Sequence, residues 1–350
     1  MKKRKSAVFI SSGLGNAILL IPLLKKLEEQ KDSISIVSNS SFGGKEVLEE
    51  SDINLKAYDI PSNWIGILVF IFINWNEYDR VFLDVFSCSK KLYYIASFIS
   101  KEIIAQKIMK NAPNRIASKT KVIEPIKGMH SATQNIRLLD TSFVNDALNE
   151  ELFSLKSQSL PSIDNKYICI QLGSANSTSN YKNWPIEKWK EFVILLCKKY
   201  PLFKIKLLGD RTESELGKEI ENINKDQIVS LIGKTDIPKL IEVIEKSILF
   251  IGADSGLMHL AGSVRTPSII LWGPSDYNLY GWHKISSKKH KILVKEVSCR
   301  PCNSWLQPNT SRVKKPENCP DFACMKQIEV SDLMHETINF LTSQSDKIVQ

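Results

Sequence analysis

The stretch from Ile251 to Leu271, IGADSGLMHLAGSVRTPSIIL, constrains this chain more than any other. An apolar run, Ile248 to Ile251, stops at Gly252-Ala253-Asp254-Ser255-Gly256, and a helical pattern begins at once. A strand, a tight turn of small residues and a helix start in succession aim free backbone N–H groups at whatever lies above. The positive end of the helix dipole points the same way, and the usual occupant is a phosphate. Ser255 to His259 is one helical turn, so His259 can face the same ligand. A second strand, Ser268 to Trp272, ends in Gly273-Pro274-Ser275. Alone, the stretch also fits an ordinary βαβ unit with a glycine turn, and the rest of the chain has to decide.

The alternation of strand and helix runs through the whole sequence. Ala7–Ile10, Ile34–Val37, Leu55–Tyr58, Val81–Val85 and Ile103–Ala105 read as strands, with helices over Ala17–Glu29, Lys45–Glu50, Trp64–Asn74 and Lys90–Ile99 between them. A helix over Ser131–Leu139 closes this half. Ser157 to Asn165 is polar and contains proline, which marks a linker. Beyond it, strands are expected at Tyr167–Leu172, Lys204–Leu208, Ile228–Leu231, Ile248–Ile251, Ser268–Leu271 and Ile292–Val294. Helices are expected at Ile186–Lys199 (with Pro185 opening it), Glu213–Asn222, Ile237–Lys246 and Gly256–Val264. The fold class is therefore α/β, with two Rossmann-like domains whose parallel sheets face a central cleft. The expected division is residues 1–160, 161–330 and a C-terminal helix and tail over 331–350.

With 350 residues, 43% apolar and 24% charged, the chain is long enough for two ordinary cores. Its net charge of +9 suits an anionic small molecule, a lipid headgroup or nucleic acid, but no nucleic-acid motif accompanies it. The basic, apolar N-terminus imitates a signal peptide, yet Ser11 to Asn16 interrupts the apolar run and no cleavage site follows. The expected compartment is the cytoplasm. Trp64 to Ile73 is half the roughly 20 residues needed to span a bilayer, and it reads as a buried helix, with a membrane-interface helix as the alternative. Of seven cysteines, Cys88, Cys169 and Cys197 lie in apolar segments and read as core. Cys299, Cys302, Cys319 and Cys324 are spaced as in a zinc ribbon, but the proline-rich loop and the loose second spacing favour free or reversibly bridged thiols. No cofactor is expected.

In parallel sheets ligands bind beyond the carboxyl ends of the strands. Ser11 to Asn16, with Gly13 and Gly15, follows the first strand but lacks the third glycine of a dinucleotide fingerprint. The corresponding loop of the second half runs from Gly173 and Ser174 to Pro185. Its hydroxyls and amides suit a pyrophosphate, and Lys182 adds a mobile positive charge. Glu213, after Gly209-Asp210, either holds ribose hydroxyls or sits in the first turn of a helix capped by Thr212.

Taken together these elements resemble glycosyltransferase family 9, the heptosyltransferase family of GT-B fold. The resemblance is carried by Leu231-Ile232-Gly233-Lys234-Thr235, IGADSGLMHLAG, Thr266-Pro267 and Trp272-Gly273-Pro274-Ser275. It extends to Lys182-Asn183-Trp184-Pro185 with Glu187-Lys188-Trp189, to Gly13-x-Gly15-Asn16 with Pro22-Leu23-Leu24, and to His130 with Asn135 and Leu138-Leu139. It implies an inverting, metal-independent transfer of heptose from an ADP-activated donor to a lipopolysaccharide-type or other lipid-linked glycan. Such an enzyme works in the cytoplasm, with peripheral contact at the inner membrane. Lys182 and the Ser255/Gly256 backbone would take the diphosphate, with His259 beside them and Asp254 toward the sugar or its phosphate. Ser174 and Glu213 complete the implied donor site.

One position departs from the family pattern. Gly15-Asn16 stands where family members carry Gly-Asp, and that aspartate is their proposed general base. Loss of a general base costs roughly 10²–10⁴ in rate. Asp84, at a strand end, and His130 are the candidate replacements, so Asn16, Asp84 and His130 form the expected catalytic set. Each replacement has a plainer role, Asp84 as a helix cap and His130 as a surface residue. The rival functions are a catalytically impaired homologue that binds without turnover and a two-domain oxidoreductase. The missing third glycine speaks against the last.

Overall fold

A computed structural model of the chain describes residues 3–11, 13–39, 43–106, 114–156, 167–173, 181–302 and 318–348. The expected linker over 157–165 and the loop residues 174–180 lie outside them. The chain divides into two compact units, residues 1–156 and 157–350.

The first unit contains β1 (Lys5–Ile10), α1 (Leu14–Ile18), α2 (Ile21–Glu29), β2 (Ser33–Ser38), α3 (Gly44–Glu49) and β3 (Leu55–Asp59). Then follow α4 (Trp64–Ile73), β4 (Tyr78–Leu83), α5 (Lys90–Ile99), β5 (Ser100–Ala105), α6 (Asn114–Lys119), β6 (Thr120–Val122) and α7 (Ser131–Arg137). Its strands form one parallel sheet in the order β3-β2-β1-β4-β5-β6. The order reverses between β1 and β4, and a reversal of this kind leaves a crevice at the carboxyl edge. At the opposite edge Arg80 and Asp32 form a buried ion pair of 2.8 Å, with Ser6 and Gln30 as further partners of Arg80. Buried charges persist only when paired and hydrogen-bonded, so this group is structural.

The second unit contains β7 (Tyr167–Gln171), α8 (Ile186–Lys199), β8 (Lys204–Leu208), α9 (Ser214–Glu221), β9 (Ile228–Ser230), α10 (Ile237–Glu245) and β10 (Leu249–Ala253). It continues with α11 (Gly256–Ser263), β11 (Ser268–Trp272), α12 (Tyr277–Tyr280), β12 (His290–Val294), α13 (Ala323–Lys326) and α14 (Val330–Ile348). Its parallel order, β12-β11-β10-β7-β8-β9, is the arrangement of the first unit repeated, with the reversal between β7 and β10. Every residue of β7, β10 and β11 is buried, as strands covered on both faces require. The core between sheet and helices is aromatic. Trp189 meets Trp184 and Phe192 edge-on, at centroid distances of 4.9 and 6.1 Å. The Trp184 indole donates to the Ile328 carbonyl at 3.0 Å, which ties the approach to α14 into this core.

Four local departures from the sequence reading have physical causes. The helix expected over 17–29 is broken between Ile18 and Ile21, because Pro22 offers no N–H and its ring clashes with the carbonyl four residues back. Pro185 stands one residue before α8 rather than inside it. Asp210, not Thr212, caps the turn after β8, accepting from Thr212 N at 2.7 Å while Glu213 reaches back to Asp210 N at 3.1 Å. The fourth is α4. Asn63 starts it by accepting from Gly66 N at 2.7 Å, but of its residues only Phe70 is buried, with Ile67 and Ile71 packed partly against the core. Trp64, Phe72 and Ile73 are 70%, 80% and 73% exposed, so the expected burial of this helix is wrong for its outer face. Among the described residues no helix is long and apolar enough to cross a membrane.

Candidate active site

The reversal between β7 and β10 gathers most of the expected donor residues. Ser255 caps α11, accepting from Met258 N at 3.4 Å, and its hydroxyl donates to Gln171 Oε1 at the end of β7. The first N–H groups of α11, from Gly256 onward, therefore open at the carboxyl edge of the sheet. Asp254 sits in the turn between β10 and α11, nearly buried. Lys182 pairs with its Oδ2 at 2.7 Å, and the Ser275 hydroxyl donates to the same oxygen. Burial pushes the Asp254 carboxyl up, but Lys182, Ser275 and His259 together outweigh it and hold the group below its ordinary value. Asp254 is thus a carboxylate at neutral pH, and its contact holds Lys182 at the mouth of the helix rather than loose in solvent.

His259 lies one turn into α11 and is buried. Burial, with Lys182 adding to it against the pull of Asp254, lowers its pKa to about 4, so the ring is neutral at neutral pH. The Trp282 indole N–H donates to His259 Nδ1 at 3.1 Å. An indole nitrogen can only donate, so Nδ1 must accept and the single ring proton resides on Nε2. His259 is thereby a fixed hydrogen-bond donor on the helix that begins at Gly256. Gly262 is the residue that lets Trp282 lie against α11, since any side chain there would overlap the indole ring. Trp282→Phe should keep the packing and lose the tautomer. Histidine ¹⁵N shifts of the variant should show mixed Nδ1–H and Nε2–H forms, with nucleoside diphosphate affinity lower by about tenfold, the worth of one good hydrogen bond. An unchanged ¹⁵N spectrum would mean the indole does not set the proton's position.

Glu213 is buried against the turns that follow β7 and β8. A Cβ at Gly173 would come within 2.6 Å of its Oε1, so the carboxylate lies directly against the backbone where β7 ends. Burial and the nearby Asp210 raise its pKa to about 7 against the Asp210 and Gly173 backbone N–H groups. Ser174 lies outside the described residues.

In the first unit, Asn16 is half-buried in α1, directly after β1. Asp84 follows β4, the neighbouring strand across the reversal, and is 2% exposed. It does not cap α5, a task done by Ser89. Instead its Oδ1 accepts from Ser87 N at 2.8 Å, and the Ser87 hydroxyl donates to the Phe9 carbonyl of β1 at 2.9 Å. Burial raises Asp84 to about 6 against the bonds from Ser87 and Phe86. His130 is not a surface residue. It is fully buried and caps α7, its Nδ1 accepting from Ala132 N at 3.3 Å. The structure thus places Asn16 and Asp84 at one strand reversal and His130 at a separate helix start.

The cysteines divide as expected in part. Cys169 and Cys197 are buried and Cys88 is half-buried. Burial pushes Cys302 up to about 11, reinforced by Cys299, Cys324 and Cys319, so Cys302 lies within electrostatic reach of the other three thiols. Among the described residues no group of three or more His, Cys, Asp or Glu is arranged to hold a metal ion. Sequence reasoning missed Gln171, Trp282 and the contact of Ser275 with Asp254. Ser275 was visible as part of Gly-Pro-Ser, but nothing in the sequence signals the other two.

Residues 106–311, more than half of the chain, match the model of glycosyltransferase family 9 (heptosyltransferase). The chain is 22% identical over 353 residues to lipooligosaccharide heptosyltransferase 2 of Campylobacter jejuni, covering 96% of this chain and 98% of that protein. It is 27% identical over 167 residues to lipopolysaccharide heptosyltransferase 3 of Escherichia coli K12, covering 44% of this chain and 47% of that protein. The match to lipooligosaccharide heptosyltransferase 2 of Haemophilus influenzae covers 28% of that protein, so two of these three alignments span less than half of the relative. Among solved structures, E. coli ADP-heptose lipopolysaccharide heptosyltransferase II superposes with a TM-score of 0.72 at 17% identity, covering 97% of this chain and 99% of the other. E. coli heptosyltransferase WaaC with ADP gives 0.62 at 17% identity, covering 82% and 92%. The shared fold is GT-B, and by its sequence the chain belongs to glycosyltransferase family 9, the heptosyltransferase family.

Proposed function

We propose that the protein is an inverting, metal-independent glycosyltransferase that moves heptose from an ADP-activated donor onto a lipopolysaccharide-type, lipid-linked glycan. The observation that carries this reading is the cluster at the start of α11, where Lys182, Asp254, Ser255 and His259 surround a helix N-terminus. A nucleoside diphosphate leaves as an anion, and its departure needs positive charge and donors aimed at the β-phosphate. Lys182, the α11 N–H groups and the Nε2–H of a neutral His259 supply both, which is the work a divalent metal does in other transferases. Glu213, near neutrality in its titration, suits the ribose hydroxyls, and Ser174 would contribute from the loop after β7.

The acceptor belongs to the first unit, where Asp84 takes the part of general base. Its raised pKa matches a group that must gain and lose a proton near neutral pH. Asn16 then orients the acceptor hydroxyl as a hydrogen-bond partner, and His130 supports the fold of the site through α7. The four C-terminal cysteines are read as thiols that take no part in the reaction.

Transfer from ADP-heptose to a deacylated inner-core acceptor tests the reading directly. Turnover should persist at an unchanged rate in excess chelator, and the anomeric configuration of the product should be opposite to that of the donor. Loss of turnover on chelation, restored by one metal, would overturn metal independence. Binding of ADP-heptose without turnover on any acceptor would favour the impaired homologue that Asn16 suggests.

A further inference from the structure

The proposed reaction leaves the outer face of α4 without a role. Ten consecutive residues, WIGILVFIFI, carry no polar side chain, and from Ile60 to Asn76 there is no charged residue at all. An ordinary surface helix turns charged residues to water. Here Ile67, Phe70 and Ile71 already serve the core, yet Trp64, Ile65, Leu68, Val69, Phe72 and Ile73 are at least half exposed. A contiguous apolar patch of this kind marks a surface that something covers.

The surroundings of α4 identify the cover by charge. Helices α4 and α5 contribute to one core cluster, and Trp75 lies 5.3 Å from Phe98, centroid to centroid, at their shared C-terminal end. Both helices precede parallel strands of one sheet, so their starts lie together at the carboxyl edge. At that end α5 presents two exposed lysines, Lys90 and Lys91. At the other end the basic groups are neutralised by acidic ones, Lys5 by Glu77 and Lys101 by Asp79. The patch is thus apolar along its length, basic where it begins, and bracketed by Trp64 and Trp75. Tryptophans at the two ends of an apolar segment and lysines beside it are the pattern of a bilayer interface. At about 15 Å, α4 is half the depth of a hydrocarbon core, so it can lie in the plane of the interface but cannot cross.

We propose that α4 docks the protein onto an anionic lipid surface, with Lys90 and Lys91 among the headgroups. The purpose of this contact rests on the lipid-linked acceptor proposed above, because it brings the carboxyl edge that bears Asn16 and Asp84 to the surface where such an acceptor resides. The contact itself does not depend on catalysis.

Co-sedimentation of the full chain with vesicles tests it, using phosphatidylcholine alone and phosphatidylcholine mixed with phosphatidylglycerol. The wild type should bind both and prefer the anionic mixture. Phe72→Ser with Ile73→Ser, both on the exposed face, should lower partitioning about tenfold for each side chain on both vesicles. Lys90→Gln with Lys91→Gln should lower binding only to the anionic vesicles, roughly fivefold per lysine. Transfer to a water-soluble acceptor should be unchanged in the Phe72/Ile73 variant. Vesicle binding that ignores both pairs of substitutions would overturn the proposal. So would a wild type that avoids vesicles and forms a dimer in sedimentation equilibrium, dissolved by the Phe72/Ile73 change, since α4 would then pair two copies of the chain. Absence of transfer by every form, with vesicle binding as expected, would count against the proposed reaction and leave the docking surface standing.

Discussion

Replacing Lys182 with alanine should weaken binding of a nucleoside diphosphate by about 10- to 100-fold and leave the affinity for the free nucleoside unchanged. The expectation follows from the position of the ammonium, 2.7 Å from Asp254 and beside the opening of α11. A charge-assisted contact to a phosphate contributes roughly 1.5–3 kcal/mol, which converts to that range of affinity. The substitution has a second consequence, because it leaves the buried Asp254 without its cation and the carboxyl should then titrate upward. Lys182→Ala combined with Asp254→Asn removes that complication and should bind the diphosphate no worse than Lys182→Ala alone. Calorimetric titration with ADP and adenosine distinguishes the outcomes. Equal losses for the two ligands would mean that Lys182 shapes the site without touching phosphate.

Asp84→Asn should produce the opposite pairing of effects, less activity and more stability. As general base its loss is expected to cost roughly 10²–10⁴ in transfer rate. Its carboxyl titrates at about 6 in the folded protein against an ordinary value of 3.8. The native state therefore holds this proton more tightly than the unfolded chain. As pH rises from about 4 to 6, stability falls, and above 6 the full deficit persists. An amide carries no such penalty, so the variant should be more stable than wild type at pH 7 by about 3 kcal/mol and indistinguishable from it at pH 3.5. The wild-type rate should fall on the acid side with an apparent pKa of about 6. Asn16→Asp completes the test. A large gain in rate would assign the base position to residue 16, whereas no gain together with the collapse of Asp84→Asn assigns it to Asp84. Unchanged turnover in Asp84→Asn would sink the assignment.

The pH argument shows where sequence reasoning reaches its limit. From sequence alone, a carboxylate base should hold its rate down to about pH 4–5 and a histidine base only to about 6.5. Burial of Asp84 moves the carboxylate limb up to where a histidine would titrate, so the two are separated by substitution and no longer by the pH profile. Burial is a property of the packed state and leaves no mark at position 84. The same holds for His130, whose placement at 0% exposure comes from the way α7 packs and not from its local sequence.

What was legible is what local periodicity and turn chemistry encode. The strand–turn–helix at Gly252 to Gly256 forms where the small residues require it, and the parallel alternation is present in both halves. What was not legible depends on distant partners. Thr120 to Val122 is a strand because β5 offers it an edge, although three residues carry too little pattern to announce it. Trp282 sits 23 positions from the histidine whose proton it fixes. The outer face of α4 failed for the reverse reason. Its composition is that of a core helix, and apolar periodicity assigns such a segment to the interior without asking whether the interior has room.

The strand pairing of the first unit has a consequence for how the polypeptide is made. Among the described residues, each of β1 to β6 pairs with neighbours drawn from the first 122 residues. On a ribosome elongating at about 5–20 residues per second, the rest of the chain takes roughly 10–40 s to appear once the first unit is out. That interval is long beside the milliseconds to seconds in which domains of this size acquire their topology. The first sheet can therefore be complete while β10, β11 and β12 of its sister have yet to leave the tunnel. Two copies of one strand order in a single polypeptide invite mispairing, and vectorial synthesis narrows the opportunity by delaying the later strands of the second copy.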